Sequence, residues 1–214
     1  MNIALIGATG FVGTPLLTEL LARDHRVTVL ARDPAKLAAR PGLTVLKADA
    51  RDAQQVAAAV AGHDAVISAF NPGWGEADLY ELSLQGYDTI VAGVKQAGVK
   101  RFLQVGGAGT LLVAAGVQLV DTDGFPPEYL IAARAMREVA NRIERESGLD
   151  WSLILPPIAL VPGERSGKYR LGTDTLLPGS GEAPASITVA DLAVALVDEL
   201  ETARHVQRRF TVAN

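Results

Sequence analysis

Seven short apolar runs punctuate the chain: Asn2–Ile6, Arg26–Ala31, Leu43–Ala48, Ala65–Phe70, Phe102–Val105, Ser152–Leu155 and Arg209–Val212. Their length and richness in Val, Ile and Leu predict strands covered on both faces. Between them the apolar positions change period. After Asp78, the residues Leu79, Leu82, Gly86, Ile90, Val94 and Ala97 recur every three or four positions and predict one helix face against a sheet, with Gly86 allowing close approach. Gln54–Ala61 and Leu192–Leu200 read as further helices. Strand and helix signals alternating from end to end are the mark of parallel βαβ units, so the expected fold is α/β: a doubly wound, mainly parallel sheet in one domain, 1–214. The stretch from Pro156 to Ser186, rich in Pro and Gly, breaks the rhythm. It leaves the carboxyl end of a strand, where ligands bind in open parallel sheets, and predicts a small C-terminal lobe facing the substrate.

The first strand runs directly into Gly7-Ala8-Thr9-Gly10-Phe11-Val12-Gly13, which runs directly into a helical segment. Three glycines at this spacing let the backbone turn sharply, bring bare N–H groups against a pyrophosphate and pack the helix closely on its strand. The helix N-terminus adds partial positive charge. The turn therefore predicts a dinucleotide site, with Gly7, Thr9, Gly10, Phe11 and Val12 in contact with the cofactor.

Cofactor choice rests on the end of the second strand, Ala31-Arg32-Asp33, with Lys36 beyond it. An arginine there pairs with a 2′-phosphate, so Arg32 and Lys36 favour NADP(H) over NAD(H). Asp33 reads either as a helix cap or as a ribose ligand. The third strand closes on Asp49 and Ala50, where a carboxylate can hold the adenine amino group or cap the next helix; the fourth closes on Ala69 and Phe70.

Composition bounds the chemistry. The formal charge of −4 and the lack of any Lys/Arg-rich run argue against nucleic acid, and no apolar run reaches membrane-spanning length. With the first strand beginning at Asn2, no signal peptide is expected, and a cytoplasmic address fits the absence of cysteine. The chain has no cysteine, which excludes thiol catalysis, and His25, His63 and His205 lack metal-ligand spacing, so no metal is expected.

These residues, together with Ser68-Ala69-Phe70, Val105-Gly106-Gly107-Ala108-Gly109, Pro156-Pro157 and Pro162-Gly163, resemble an atypical short-chain dehydrogenase/reductase. They resemble the NAD(P)-binding Rossmann group that includes flavin and biliverdin reductases and NmrA-like regulators. The resemblance covers nearly the whole chain and implies cofactor contacts from Gly106, Gly107 and Pro156 as well. It also shows departures. The familiar enzymes pair a Tyr with a Lys four residues on; here Tyr129 is followed by Ala133, and Arg134 falls on another helix face. Where their serine stands there are Gly106 and Gly107, with Thr110 the nearest hydroxyl. Tyr129 and Thr110 are the candidate catalytic groups, but Tyr129 has no cation beside it and reads as a poor proton shuttle or as pocket wall.

Hydride transfer to a flat conjugated acceptor depends on stacking and orientation more than on a protein acid. The two glycines are expected to leave open space for such a ring, and Trp74 to cap the pocket or anchor its loop. The expected function is thus an NAD(P)H-dependent oxidoreductase acting on a planar acceptor, flavin-like or quinone-like. The alternatives are a dinucleotide-sensing regulator without turnover and, weakened by the missing lysine, a sugar-nucleotide epimerase or dehydratase. The acceptor and the oligomeric state are not legible in the residues.

Overall fold

A computed structural model describes residues 1–181 and 183–214. Five strands build the first half of the sheet: β1 (Asn2–Ile6), β2 (Arg26–Ala31), β3 (Leu43–Lys47), β4 (Ala65–Ser68) and β5 (Arg101–Val105). A hairpin, β6 (Leu112–Ala114) and β7 (Val117–Gln118), follows. The remainder comprises β8 (Asp150–Leu155), β9 (Ala159–Val161), β10 (Arg170–Gly172), β11 (Ser186–Thr188) and β12 (Arg208–Ala213). Five helices alternate with them: α1 (Gly13–Ala22), α2 (Ala53–Val60), α3 (Leu79–Gln96), α4 (Leu130–Glu144) and α5 (Val189–Thr202).

The main sheet has the order β10-β12-β8-β5-β4-β1-β2-β3, and every pairing is parallel except β10 with β12. Strand order reverses between β1 and β4, which opens a crevice at their carboxyl ends. Alternation along β1 divides the core. Ala4 and Ile6 join the cluster that also holds Val56, Ile90 and Val139 of α2, α3 and α4, while Ile3 and Leu5 join Leu16, Leu20, Leu192 and Leu196 of α1 and α5. Helices on both faces explain why the central strands read as unbroken apolar runs; β3, at the edge, leaves Thr44, Leu46 and Lys47 exposed.

The expected elements are all present, with corrections of detail. The buried stripe of α3 runs through Leu79, Ser83, Gly86, Tyr87, Ile90 and Val94, so Leu82 lies at its margin. Gly86 does permit close approach: a β-carbon there would stand 2.1 Å from the Phe70 ring. The cap of α2 is Asp52, whose carboxylate accepts from the backbone N–H groups of Gln54 and Gln55; Asp49 does not cap.

The segment 156–186 begins at the carboxyl end of β8 with Pro156 and Pro157 buried, but much of it travels elsewhere. Arg165 pairs with Glu19 of α1, and the buried Asp191 of α5 accepts from the N–H groups of Ser166 and Gly167, the Ser166 hydroxyl and the Asn214 amide. The chain then adds β10 to the sheet edge, and Asp174 and Leu176 pair with Leu112 of the hairpin. β9 and β11 form a separate two-stranded ribbon. None of these short strands shows enough alternation to be read from sequence.

Candidate active site

The glycine turn is built by contacts that forbid side chains at two positions and leave only a tight fit at the third. Gly7 has φ +86°, and a β-carbon on it would lie 2.3 Å from the Ala69 carbonyl oxygen. One on Gly13 would lie 2.0 Å from the Gly7 carbonyl oxygen. On Gly10 the nearest such atom is the Gly7 oxygen at 3.3 Å, and Gly10 is exposed. The Gly10 N–H donates to Gly7 and the Thr14 N–H to Gly10. The N–H groups of Phe11, Val12 and Gly13 have no acceptor among the described residues, and they stand at the start of α1. Three free donors at a helix N-terminus suit a pyrophosphate.

Beside the turn, a cavity of about 150 Å³ is lined by residues from the ends of β1, β2, β3 and β4. It brings together Gly7, Thr9, Arg32, Lys36, Asp49, Ala50 and Phe70 of the expected site. Arg32 and Lys36 are exposed, with no carboxylate within ion-pair distance among the described residues. Asp33 caps the single turn Pro34–Lys36 by accepting from the Ala35 N–H at 3.2 Å. Arg51, which the sequence reading passed over, also lines the cavity and pairs with Asp49 at 3.2 Å. Partial burial opposes ionisation of Asp49, but hydrogen bonds from the Arg51 side chain and backbone outweigh it and hold the carboxyl below its ordinary range. Arg51 stands two residues after Asp49 at a strand's end, and that position was the available signal. The cavity rim thus has three guanidinium or ammonium groups, two of them unpaired.

The other expected residues have different surroundings. Ala69 closes against Gly7, as described, and the Phe70 ring wedges against Gly86 while lining the cavity. Gly106 donates its N–H to Ile154 and extends the β5–β8 pairing. The open space expected at Gly106 is not there, since a β-carbon would face Leu155 at 2.8 Å, whereas one on Gly107 would meet Met136 at an ordinary contact distance of 3.6 Å. Gly106 exists for strand packing. Thr110 is 1% exposed and its hydroxyl donates to the Gly107 carbonyl at 3.0 Å, a buried tie rather than a group presented to a ligand.

Tyr129 stands at the N-terminus of α4, two residues after Pro127, and is 51% exposed. Its ring meets Trp74 edge to face, with centroids 5.9 Å apart and planes at 82°. Trp74 is 64% exposed, so it does not anchor its loop in the core. Ala133 packs beside Gly109, and Arg134 lines a separate groove between α3 and α4. Among the described residues no three His, Asp or Glu side chains could hold a metal, and no helix is long and apolar enough to cross a membrane. His25 contacts Glu201, and His205 contacts Glu199, both away from the crevice.

A family model for NAD(P)H-binding proteins matches residues 7–203. The chain belongs to that family. It is similar to the uncharacterized protein YwnB of Bacillus subtilis, 32% identical over all of this chain and 99% of the relative. Among solved structures it resembles a candidate epimerase from Bacteroides thetaiotaomicron at 42% identity and TM-score 0.92, covering 99% of this chain and 96% of the other. It also resembles a candidate NADH-flavin reductase from Streptococcus pneumoniae at 29% identity and TM-score 0.87, covering 100% and 99%. The fold is the oxidoreductase type that binds a nicotinamide dinucleotide.

Proposed function

We propose that this protein is an NADPH-dependent reductase of a planar conjugated acceptor, flavin-like or quinone-like. The observation that carries this reading is the setting of Tyr129: exposed, in contact with an aromatic ring, and followed four residues later by an alanine packed on Gly109. Oxidising an alcohol, or epimerising a sugar through a ketone, requires a proton to leave a hydroxyl in step with hydride, and that needs a tuned acid–base group. A flat acceptor needs no such group. The likeness to a candidate flavin reductase over the full length supports the same reading.

The residues divide the work. The free N–H groups of Phe11, Val12 and Gly13 hold the pyrophosphate, and Asp49 and Ala50 border the adenosine cavity. Arg32 and Lys36, with no carboxylate partners, favour a 2′-phosphate and therefore NADP(H); charge-assisted bonds to phosphate are among the stronger hydrogen bonds. When bound, the nicotinamide supplies a hydride, two electrons and one proton, to the acceptor. The acceptor takes its second proton from water, which reaches the exposed Trp74 and Tyr129.

The test is anaerobic NADPH oxidation with a panel of lumiflavin, FMN and menadione, beside NADP+ reduction by alcohols and epimer formation from a nucleotide sugar. Turnover with a flat ring and none with the alcohols or sugar is expected. Binding of NADPH with no oxidation by any acceptor would favour a non-enzymatic dinucleotide sensor and overturn the reading.

A further inference from the structure

Two aromatic side chains are left in water where a ligand would arrive. Trp74 lies on the loop that follows β4, and Tyr129 on the turn that precedes α4; the two segments are far apart in sequence and meet above the carboxyl edge of the sheet. Full burial of an aromatic ring is a large source of stability, and neither ring receives it here. The loop around Trp74 is held by its own bonds: the Gly73 N–H donates to the Asn71 side chain at 2.8 Å and the Glu76 N–H to the Gly73 carbonyl at 3.3 Å. The indole is thus displayed by a folded turn rather than trailing from a loose one. Gly73 takes φ +129°, a conformation that favours glycine, which fixes the turn that carries the indole.

We propose that Trp74 and Tyr129 form the seat for the acceptor's flat ring, with Trp74 setting which acceptors are accepted. This rests on the reductase reading above. In an edge-to-face pair the ring that offers its edge keeps both faces free, and the ring that offers its face keeps one. Both rings are more than half exposed, so ring surface remains for stacking, and Tyr129 fixes the tilt of the indole that a ligand meets. Every conjugated ring has a π-face, so such a seat selects flatness and size in preference to a hydrogen-bonding pattern. It explains a Tyr at the head of α4 without any demand that its phenol move a proton. Trp74 is then a specificity-determining residue and Tyr129 a positioning one.

The second tryptophan, Trp151, is buried, so ligand stacked at the mouth quenches chiefly Trp74. Lumiflavin and menadione are titrated separately into wild type, Trp74→Phe, Trp74→Ala and Tyr129→Leu, with tryptophan emission, NADPH affinity and acceptor KM and kcat read for each. Quenching is expected in wild type and lost in Trp74→Phe. Trp74→Ala should raise acceptor KM at least tenfold with kcat within about threefold and NADPH affinity unchanged, and Trp74→Phe should recover most of that KM. A stronger effect on lumiflavin than on menadione assigns the seat to the larger ring, and the reverse to the smaller. If no acceptor is turned over but quenching depends on Trp74, the seat stands and the reductase reading falls. Equal quenching in wild type and Trp74→Phe, or unchanged KM in Trp74→Ala, overturns the seat.

Discussion

Ala133 and Gly109 are packing partners: a β-carbon on Gly109 would stand 2.9 Å from that of Ala133. The position four residues after Tyr129 therefore belongs to the contact between α4 and the buried turn Ala108–Thr110, where a methyl group meets a glycine. Gly109→Ala should overpack this contact and cost about 1–3 kcal/mol. Chemical denaturation would measure it, and an unchanged midpoint would show that the contact relaxes freely.

The glycine turn makes a paired prediction. Gly13→Ala places a methyl against the Gly7 backbone at 2.0 Å and should prevent folding or lower the melting temperature sharply. Gly10→Val enters at 3.3 Å from the Gly7 carbonyl oxygen, a tight contact at an exposed position, and should keep most of the stability while losing NADPH affinity at least tenfold. Calorimetric titration with NADPH and a thermal melt separate the two; intact NADPH affinity in Gly10→Val would remove Gly10 from the pyrophosphate site.

Cofactor preference should follow Arg32. Its replacement by Ala should cost about 1.5–3 kcal/mol of NADPH affinity and little of NADH affinity. Arg51→Ala should also weaken NADPH binding and, by freeing Asp49 from its partner at 3.2 Å, raise the Asp49 pKa. Equal losses for NADPH and NADH in Arg32→Ala would give that arginine a structural role.

Much of this was legible in the chain. The seven strands and the glycine turn announce themselves because β1, β4, β5 and β8 are covered on both faces and are mostly apolar, with Ser68, Gln104 and Ser152 as buried polar exceptions. Glycine at 7 and 13 is demanded by backbone contacts, which are local and so leave a local signature. Arg51 was missed because its role depends on the Asp49 side chain folding back to it. The Trp74–Tyr129 contact was missed because it joins two turns with no periodicity. The open space expected at Gly106 failed for a related reason: the residues filling it, Leu153 and Leu155, come from the next strand of the sheet.

Acid sensitivity should centre on Glu199, away from the cofactor. It is nearly fully buried, pairing with Arg101 at 2.8 Å and His205 at 2.7 Å and accepting from the Ser152 hydroxyl at 2.9 Å. Burial opposes its ionisation, but hydrogen bonds from His205 and Ser152 with the charge of Arg101 prevail and hold its carboxyl below the ordinary range. A carboxyl with a depressed folded-state pKa contributes stability that is complete above its unfolded value of about 4.3 and is lost as pH falls through the lower folded value. Glu199→Gln should cost about 3–5 kcal/mol at neutral pH, because it leaves Arg101 buried without its counter-charge, and should flatten the acid limb of a stability–pH profile. Parallel acid limbs in the two proteins would contradict this.

The most direct test of the account is single-turnover oxidation of NADPH by lumiflavin or menadione under anaerobic conditions, comparing wild type with Tyr129→Phe. A general acid contributes about 10²–10⁴-fold. With Ala133 in place of a cation and the proton drawn from water, Tyr129→Phe should slow hydride transfer by less than about tenfold, with any larger part of the loss in acceptor KM. A loss of about a thousandfold in the transfer step, with NADPH affinity intact, would make the Tyr129 phenol the obligatory proton donor and contradict the account.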